Sequence, residues 1–399
     1  LRPGAPIGPV PPLGLGLRPE DAVTALEAAD DLRALNPAYL ILHHDPRAGH
    51  NRDTLTEMLE AADAVGAEPW LEAVVTGKED RVAAKEIAAL GKVAAKLGHP
   101  FATVLVSPAP DLKCTLPGSV WPAAPDAAKL YDATRRAFPK ARIGGGMFSY
   151  LTELNRKRPP VGRLDLVSFT TSPMVHAGDD RSVIETREAH PAIAASVTAI
   201  SRGVPWAVGP SAIGIRDNPY GAAAKDNPDN IRQAMNGPDP RQRGLLGAAW
   251  ALGYVADFAA GGAAGIALGG GTGPFGMLHS ETELPEPWFD IHGGLYPMFH
   301  VLRGLARLRG AEMRTLDLPH SGALAGLAAG EEIWIANMRP EPVTVEGPGQ
   351  GARAAILNAA AFARAASDPA FLDHLSNMDG PLTLDAFAVA RIVRTGSET

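Results

Sequence analysis

The chain has 399 residues, 46% hydrophobic and 20% charged, enough for a barrel of about 250 residues and a smaller second domain. A net charge of −7 with no block of Lys or Arg excludes the electrostatic footprint of a nucleic-acid binder. The single cysteine, Cys114, rules out an internal disulfide framework or a Cys-based zinc site, and the cytoplasm is the expected location.

The opening stretch "LRPGAPIGPVPPLG" has neither the charged nor the apolar region of a secretory signal, and its first residue, Leu, suggests a removed upstream segment. Strand-like runs then follow at 13–17, 39–43, 69–75, 103–107, 142–147, 166–170, 206–208 and 265–268. Helical stretches separate them, with apolar residues recurring three or four apart. "RPEDAVTALEAADDLRALN" begins with Pro19 and acidic residues, as helix first turns do. "NRDTLTEMLEAADAVG" carries Leu55, Met58, Leu59 and Ala62 on one stripe and stops at Gly66, and "DRVAAKEIAALGKVAAKLG" stops at Gly98. "DPRQRGLLGAAWALGYVADF" supplies the seventh helix and "YPMFHVLRGLARLRG" the eighth.

The apolar stretch 245–271 imitates a membrane span, but Asp257 and the pair Gly261-Gly262 leave neither half at the ~20 residues required. No membrane partner is expected; a barrel helix followed by a buried parallel strand explains it. Strict alternation of strand and helix implies a parallel sheet, and eight units predict an α/β chain with a (β/α)8 barrel over residues 1–311. "IGGGM" and "LGGGTG" lack the order of a phosphate loop, and no cofactor is expected. From residue 312 to 399 short alternating runs between Gly and Pro turns predict a small β-sandwich. In it "GEEIWIANMRPEPVTV" reads as two strands turning at 339–342, "LTLDAFAVARIVR" as one more, and "SDPAFLDHL" as a helical patch.

Chemistry in such a barrel belongs at the C-terminal ends of the strands. The second strand ends in His43-His44-Asp45, and alternation lets only one histidine face the mouth. Either His43 or His44 serves as acid/base or substrate-orienting group, or packs hydrogen-bonded under a loop; a metal is not expected. Glu72, inside the apolar run "PWLEAVV", is desolvated, which raises its pKa unless a cation pairs with it. It is a candidate base or one half of a buried salt bridge. The fourth strand runs into Ser107-Pro108, then Asp111, Lys113 and Cys114. Asp111 is a second candidate base and Lys113 a candidate oxyanion partner or a solvated charge, while Cys114 has no histidine nearby in sequence to activate it. Glu153 and Asn155 of the fifth loop could reach a polyol. His176 of the sixth is the preferred acid/base histidine, and Asp179 or Asp180 caps the helix that follows. "VGPSAIG" misses the G-x-S-x-G elbow, so Ser211 is read as a substrate contact. In the long polar loop after it, Arg216 is a candidate oxyanion partner and Asn218 a hydroxyl reader, with helix capping the competing account for the latter.

The segments "LILHHDPR", "VLVSPAPDLKCTLPGSVWP", "GGGMFSYLTELNRKRPP", "LDLVSFTTSPMVHAGDD" and "VGPSAIGIRDNPYG" together resemble the D-apionate lactonases. These are bacterial enzymes with a glycoside-hydrolase-like barrel and a β-rich C-terminal domain. Family members look longer at the N-terminus, so a leading β domain is expected to be missing here. The resemblance implies hydrolysis of a small-molecule sugar lactone, D-apionate lactone, in D-apiose catabolism. It carries no catalytic assignment, so roles rest on the residues alone. In that reading Glu72 or Asp111 activates water, His176 or His43 moves the proton to the ring oxygen, and Lys113 or Arg216 holds the oxyanion. His44, Glu153, Asn155, Ser211 and Asn218 contact substrate. A retaining glycosidase needs two carboxylates about 5 Å apart, and neither Ser107-Pro108 nor "GPSAIG" supplies one. Two other readings stay open: a glycoside hydrolase with displaced carboxylates such as Glu72 and Glu153, and a non-catalytic carbohydrate-binding protein. Assembly into a homo-oligomer is also left open.

Overall fold

The computed structural model describes residues 1–280, 293–319, 322–347, 349, 351–378 and 380–394. After an N-terminal strand β1 (Arg2–Pro9), eight parallel strands close into a barrel: β2 (Leu13–Leu17), β3 (Tyr39–His44), β4 (Glu68–Val75), β5 (Thr103–Pro108), β6 (Arg142–Tyr150), β7 (Leu166–Thr170), β8 (Trp206–Ser211) and β9 (Gly265–Gly270). Each pairs with the next, and β9 returns to β2. The eight predicted strands are these eight. Alternation along each strand sends Tyr39, Ile41, Trp70, Leu105, Leu166, Ala207 and Ala267 into the barrel interior, where Tyr39 stacks on Trp70 with ring centroids 3.9 Å apart. This apolar filling is the floor on which the mouth is built. Alternate residues such as Leu40, Leu42, Leu71, Val104 and Val106 face outward and pack under the helices.

Local signals placed the helices well. Arg52–Val65 starts at a capping box, where Asn51 accepts from the Asp53 and Thr54 amides, and ends at Gly66 with φ +78°. The stretch predicted as one helix before the second strand is two, Ala22–Glu27 and Ala29–Leu35, broken at Ala28. Leu245–Ala260 is apolar apart from Asp257, which pairs with Arg187 and His190, because it lies between the barrel and the C-terminal sheet, burying Trp250 and Tyr254 inward and meeting that sheet outward. Among the described residues no helix is long and apolar enough to cross a membrane.

The C-terminal strands are β10 (Glu312–Asp317), β11 (Leu324–Ala329), β12 (Glu332–Asn337), β13 (Val343–Val345), β14 (Ala352–Leu357), β15 (Ser376–Asn377), β16 (Leu382–Leu384) and β17 (Val389–Arg394). They form one antiparallel sheet in the order β1-β10-β11-β12-β17-β14-β15, covered by the pair β13-β16 through Val345, Leu382 and Leu384. Three expectations need correction. Residues 2–9, assigned to the barrel by the 1–311 boundary, form a strand on β10; their Pro and Gly content hid an edge strand, the one position where Pro is tolerated. "LTLDAFAVARIVR" is two strands, β16 and β17, split by a turn containing Phe387 at φ +52°. The helical patch in "SDPAFLDHL" is confined to the short 3-10 helix Phe371–Asp373. The two strands of "GEEIWIANMRPEPVTV" exist, but they lie in different sheets.

Candidate active site

A cavity of about 460 Å³ opens at the C-terminal end of the barrel, walled by β3, β4, β6, β7, β8, the loops that leave them, and the loops after β2 and β5. At its base β3 and β4 run in a register that sets His43 beside Glu72, both on the inward face. His43 Nδ1 lies 2.7 Å from Glu72 Oε2, and Arg216 Nη2 donates to the same oxygen at 3.0 Å. Burial alone would raise the pKa of Glu72, which is 3% exposed, but the Arg216 guanidinium and the His43 ring outweigh it and hold the carboxyl at about 2. Glu72 is therefore ionised at neutral pH. An ionised carboxylate can only accept, so in the neutral ring the proton of His43 sits on Nδ1 and Nε2 keeps the lone pair.

The other lining carboxylates also have cation partners. Asp45 makes a two-pronged pair with Arg47 and is held below the usual carboxylate range despite its burial. Glu20 pairs with Arg18 at 3.0 Å and Asp217 with Lys113 at 3.1 Å. Tyr150, whose hydroxyl burial pushes far above its ordinary pKa, stays a neutral phenol on the wall. Among the described residues no three His, Cys, Asp or Glu side chains converge as a metal-ligand set.

Of the residues singled out in the sequence, the structure brings together His43, Glu72, Lys113 and Arg216. The rest lie elsewhere. Asp111 is buried behind the wall against Lys157, which cancels its charge and removes it from reach of a water in the cavity. His176 is exposed and off the cavity wall, because Pro173 and Met174 turn inward and carry the chain past the rim; only Thr170, Thr171 and Ser172 of that loop line the pocket. His44 points away from the mouth, as alternation requires, and burial lowers its pKa to about 4. Glu153 is fully buried with Arg156 at 3.5 Å, so it does not face Glu72 across the mouth. Asn155 is on the exposed face of its helix, bound to Arg158. The Ser211 hydroxyl is used up by Thr171 and Tyr254, and the Asn218 side chain by Tyr220 and Ala223, so both hold the loops rather than face the cavity. Lys113 lines the cavity, but its ammonium is committed to Asp217, the Asn218 carbonyl and the Gly221 carbonyl. Asp179 does cap its helix, whereas Asp180 pairs with Arg232 and Arg241.

His50 was missed. It lines the cavity, and its Nδ1 accepts the Asp45 amide at 2.9 Å. The available signal was "DPRAGHN", a Pro-started turn closed by a glycine, which returns the following residue toward the strand it left.

The barrel, its fused antiparallel β domain and a cleft at the strand ends define a glycoside-hydrolase-like architecture, here with an imidazole, a carboxylate and a guanidinium clustered at the base of the cleft. Solved structures of that architecture share the fold. A GH30 endoxylanase from Clostridium papyrosolvens C71 covers 98% of both chains at TM-score 0.58 and 11% identity. A family 39 glycoside hydrolase from Bacteroides cellulosilyticus WH2 covers 97% of this chain and 81% of its own at TM-score 0.57 and 11% identity. The chain itself belongs to the D-apionate lactonase family: residues 13–310 match its TIM barrel domain and residues 321–392 its C-terminal immunoglobulin-like domain. It is 37% identical over 338 residues to the D-apionate lactonase of Brucella anthropi, a stretch that is 85% of this chain and 54% of that protein. The chain thus spans about half the length of that relative.

Proposed function

We propose that this chain hydrolyses a sugar-acid lactone, D-apionolactone, to D-apionate in D-apiose catabolism, acting in the cytoplasm. The observation that carries the reading is the contact of His43 with the ionised Glu72, which fixes a base-competent imidazole at the cavity floor. In this mechanism His43 Nε2 takes a proton from water, and the water oxygen attacks the lactone carbonyl carbon. Glu72 stays ionised and stabilises the imidazolium that forms, as the third group of a nucleophile–base–carboxylate series does. Arg216 places two of its five N–H groups on Glu72 and the Pro210 carbonyl, which leaves donors for the carbonyl oxygen as it becomes negative. When the bond from the carbonyl carbon to the ring oxygen breaks, His43 returns its proton to that oxygen, and an open-chain hydroxy acid leaves.

Glu72 at a pKa of about 2 is too weak a base to take the proton itself, so it orients rather than abstracts. The same state disqualifies it as the protonated acid of a glycosidase, whose pKa must be raised. The test mixes purified protein with D-apionolactone and follows acid release in a pH-stat. Release above the spontaneous rate that disappears in His43→Ala supports the proposal. Release of a reducing sugar from a glycoside, with the lactone untouched, refutes it.

A further inference from the structure

Among the described residues His43 is one of two imidazoles on the cavity wall, and the second is locked in the opposite sense. The strand β3 ends at His44, and the chain then makes the turn Pro46–Ala48, started by the Asp45 carboxylate accepting the Arg47 amide and ended by Gly49 at φ +82°. The next residue but one, Asn51, is the capping residue of the helix Arg52–Val65. His50 is therefore held between two anchored points. Its ring stands edge-on to His43, with centroids 5.8 Å apart and planes at 86°. The Asp45 amide donates to its Nδ1 at 2.9 Å, so that nitrogen keeps its lone pair and the ring proton belongs on Nε2. Among the described residues no side chain accepts from that Nε2. Burial, and after it the neighbouring His43, lower the pKa of His50 against smaller upward pulls from Glu20, Asp45 and the His43 carbonyl.

We propose that His50 is a second catalytic histidine, whose Nε2–H donates to the lactone carbonyl oxygen while His43 Nε2 faces the attacking water. This rests on the lactonase reading of the same cavity. The two rings would then carry complementary proton inventories, each set by a hydrogen bond to Nδ1: a carboxylate makes His43 an acceptor at Nε2, and a backbone amide makes His50 a donor there. A neutral donor suits an oxyanion because it needs no counter-charge in a cavity whose cations are already paired.

Ring-nitrogen NMR of the full chain tests the assignment without turnover. Between pH 6 and 8 His50 should show an unprotonated Nδ1 and a protonated Nε2; a proton on Nδ1, or an imidazolium at pH 7, overturns it. Kinetics test the role. His50→Ala should lower kcat by roughly 10²- to 10³-fold with little change in KM. His50→Gln, which restores an N–H donor, should recover part of the loss. A His50→Ala protein that is folded by circular dichroism and within threefold of wild-type kcat defeats the role. A wild-type protein that turns over no lactone defeats the lactonase reading and this role with it, while the NMR tautomer still stands or falls on its own measurement.

Discussion

Replacing Glu72 by Gln removes one charge and almost no volume, at a side chain that is 3% exposed. Its carboxyl drops from 4.5 to about 2 on folding, which corresponds to about 3 kcal/mol in favour of the ionised folded state. Glu72→Gln forfeits that and leaves Arg216, with its side chain 18% exposed, without its counter-charge. It should unfold in denaturant with about 3 kcal/mol less stability. Catalysis should suffer more. A Gln amide that turns its NH₂ toward His43 Nδ1 moves the ring proton to Nε2 and abolishes the base, an effect of about 10³- to 10⁴-fold in kcat. The double variant Glu72→Gln/Arg216→Met should regain most of the lost stability and none of the lost activity, which separates charge balance from catalysis. The assay is acid release from D-apionolactone at pH 7 beside a urea titration of each variant. A Glu72→Gln protein within tenfold of wild-type kcat would refute the argument that this carboxylate sets the tautomer of His43.

Stability should fall with acid in two stages. His44 and His300 each drop from 6.5 to about 4 on folding, mainly through burial, so the unfolded chain binds their protons first and stability declines as pH falls from 6.5 to about 4. Glu72 and Asp45 have folded pKa values below their unfolded ones, so their contribution is complete above about 4.5 and is lost as pH falls toward 2. Urea midpoints between pH 7.5 and 3 check both stages, and His44→Gln should flatten part of the upper one. Lys113→Met removes the tether of the loop that carries Arg216, so KM for the lactone should rise roughly tenfold, the equivalent of about 1.4 kcal/mol, with a smaller fall in kcat. An unchanged KM would show that the loop holds itself. Gly304 lies in the helix Pro297–Arg307 under Trp334 of the C-terminal sheet, where an added Cβ would come within 2.0 Å of the indole. Gly304→Ala should therefore cost about 1–3 kcal/mol by overpacking, measured by thermal or denaturant unfolding.

Particular elements show what was legible in advance. The eight barrel strands, the capped helix Arg52–Val65 and the Asp179 cap each announce themselves within a few residues, because caps, turns and apolar periodicity act over one or two turns of chain. The largely apolar helix Leu245–Ala260 was placed correctly, yet the reason for its composition, a sheet lying on its outer face, was invisible in its own residues. The strand Arg2–Pro9 was missed outright, since its partner β10 begins some three hundred positions later. The same division runs through the cavity. Glu72 drew notice as a charge inside an apolar run, but whether it would sit at a raised or a lowered pKa depended on a cation, and Arg216 arrives from another loop 144 positions away.

Sequence by itself determined the barrel, the second β layer and the lack of a carboxylate in Ser107-Pro108 and in "GPSAIG" at the ends of the fourth and seventh barrel strands, because each of these is written in local composition and spacing. Only the tertiary structure decided which histidine faces the cavity, which ring nitrogen holds its proton, and which basic side chain is already spent on a neighbour. Those outcomes are set by distances of a few ångströms between strands and loops that no local pattern records, and in a buried cavity such distances decide the charge state of every group.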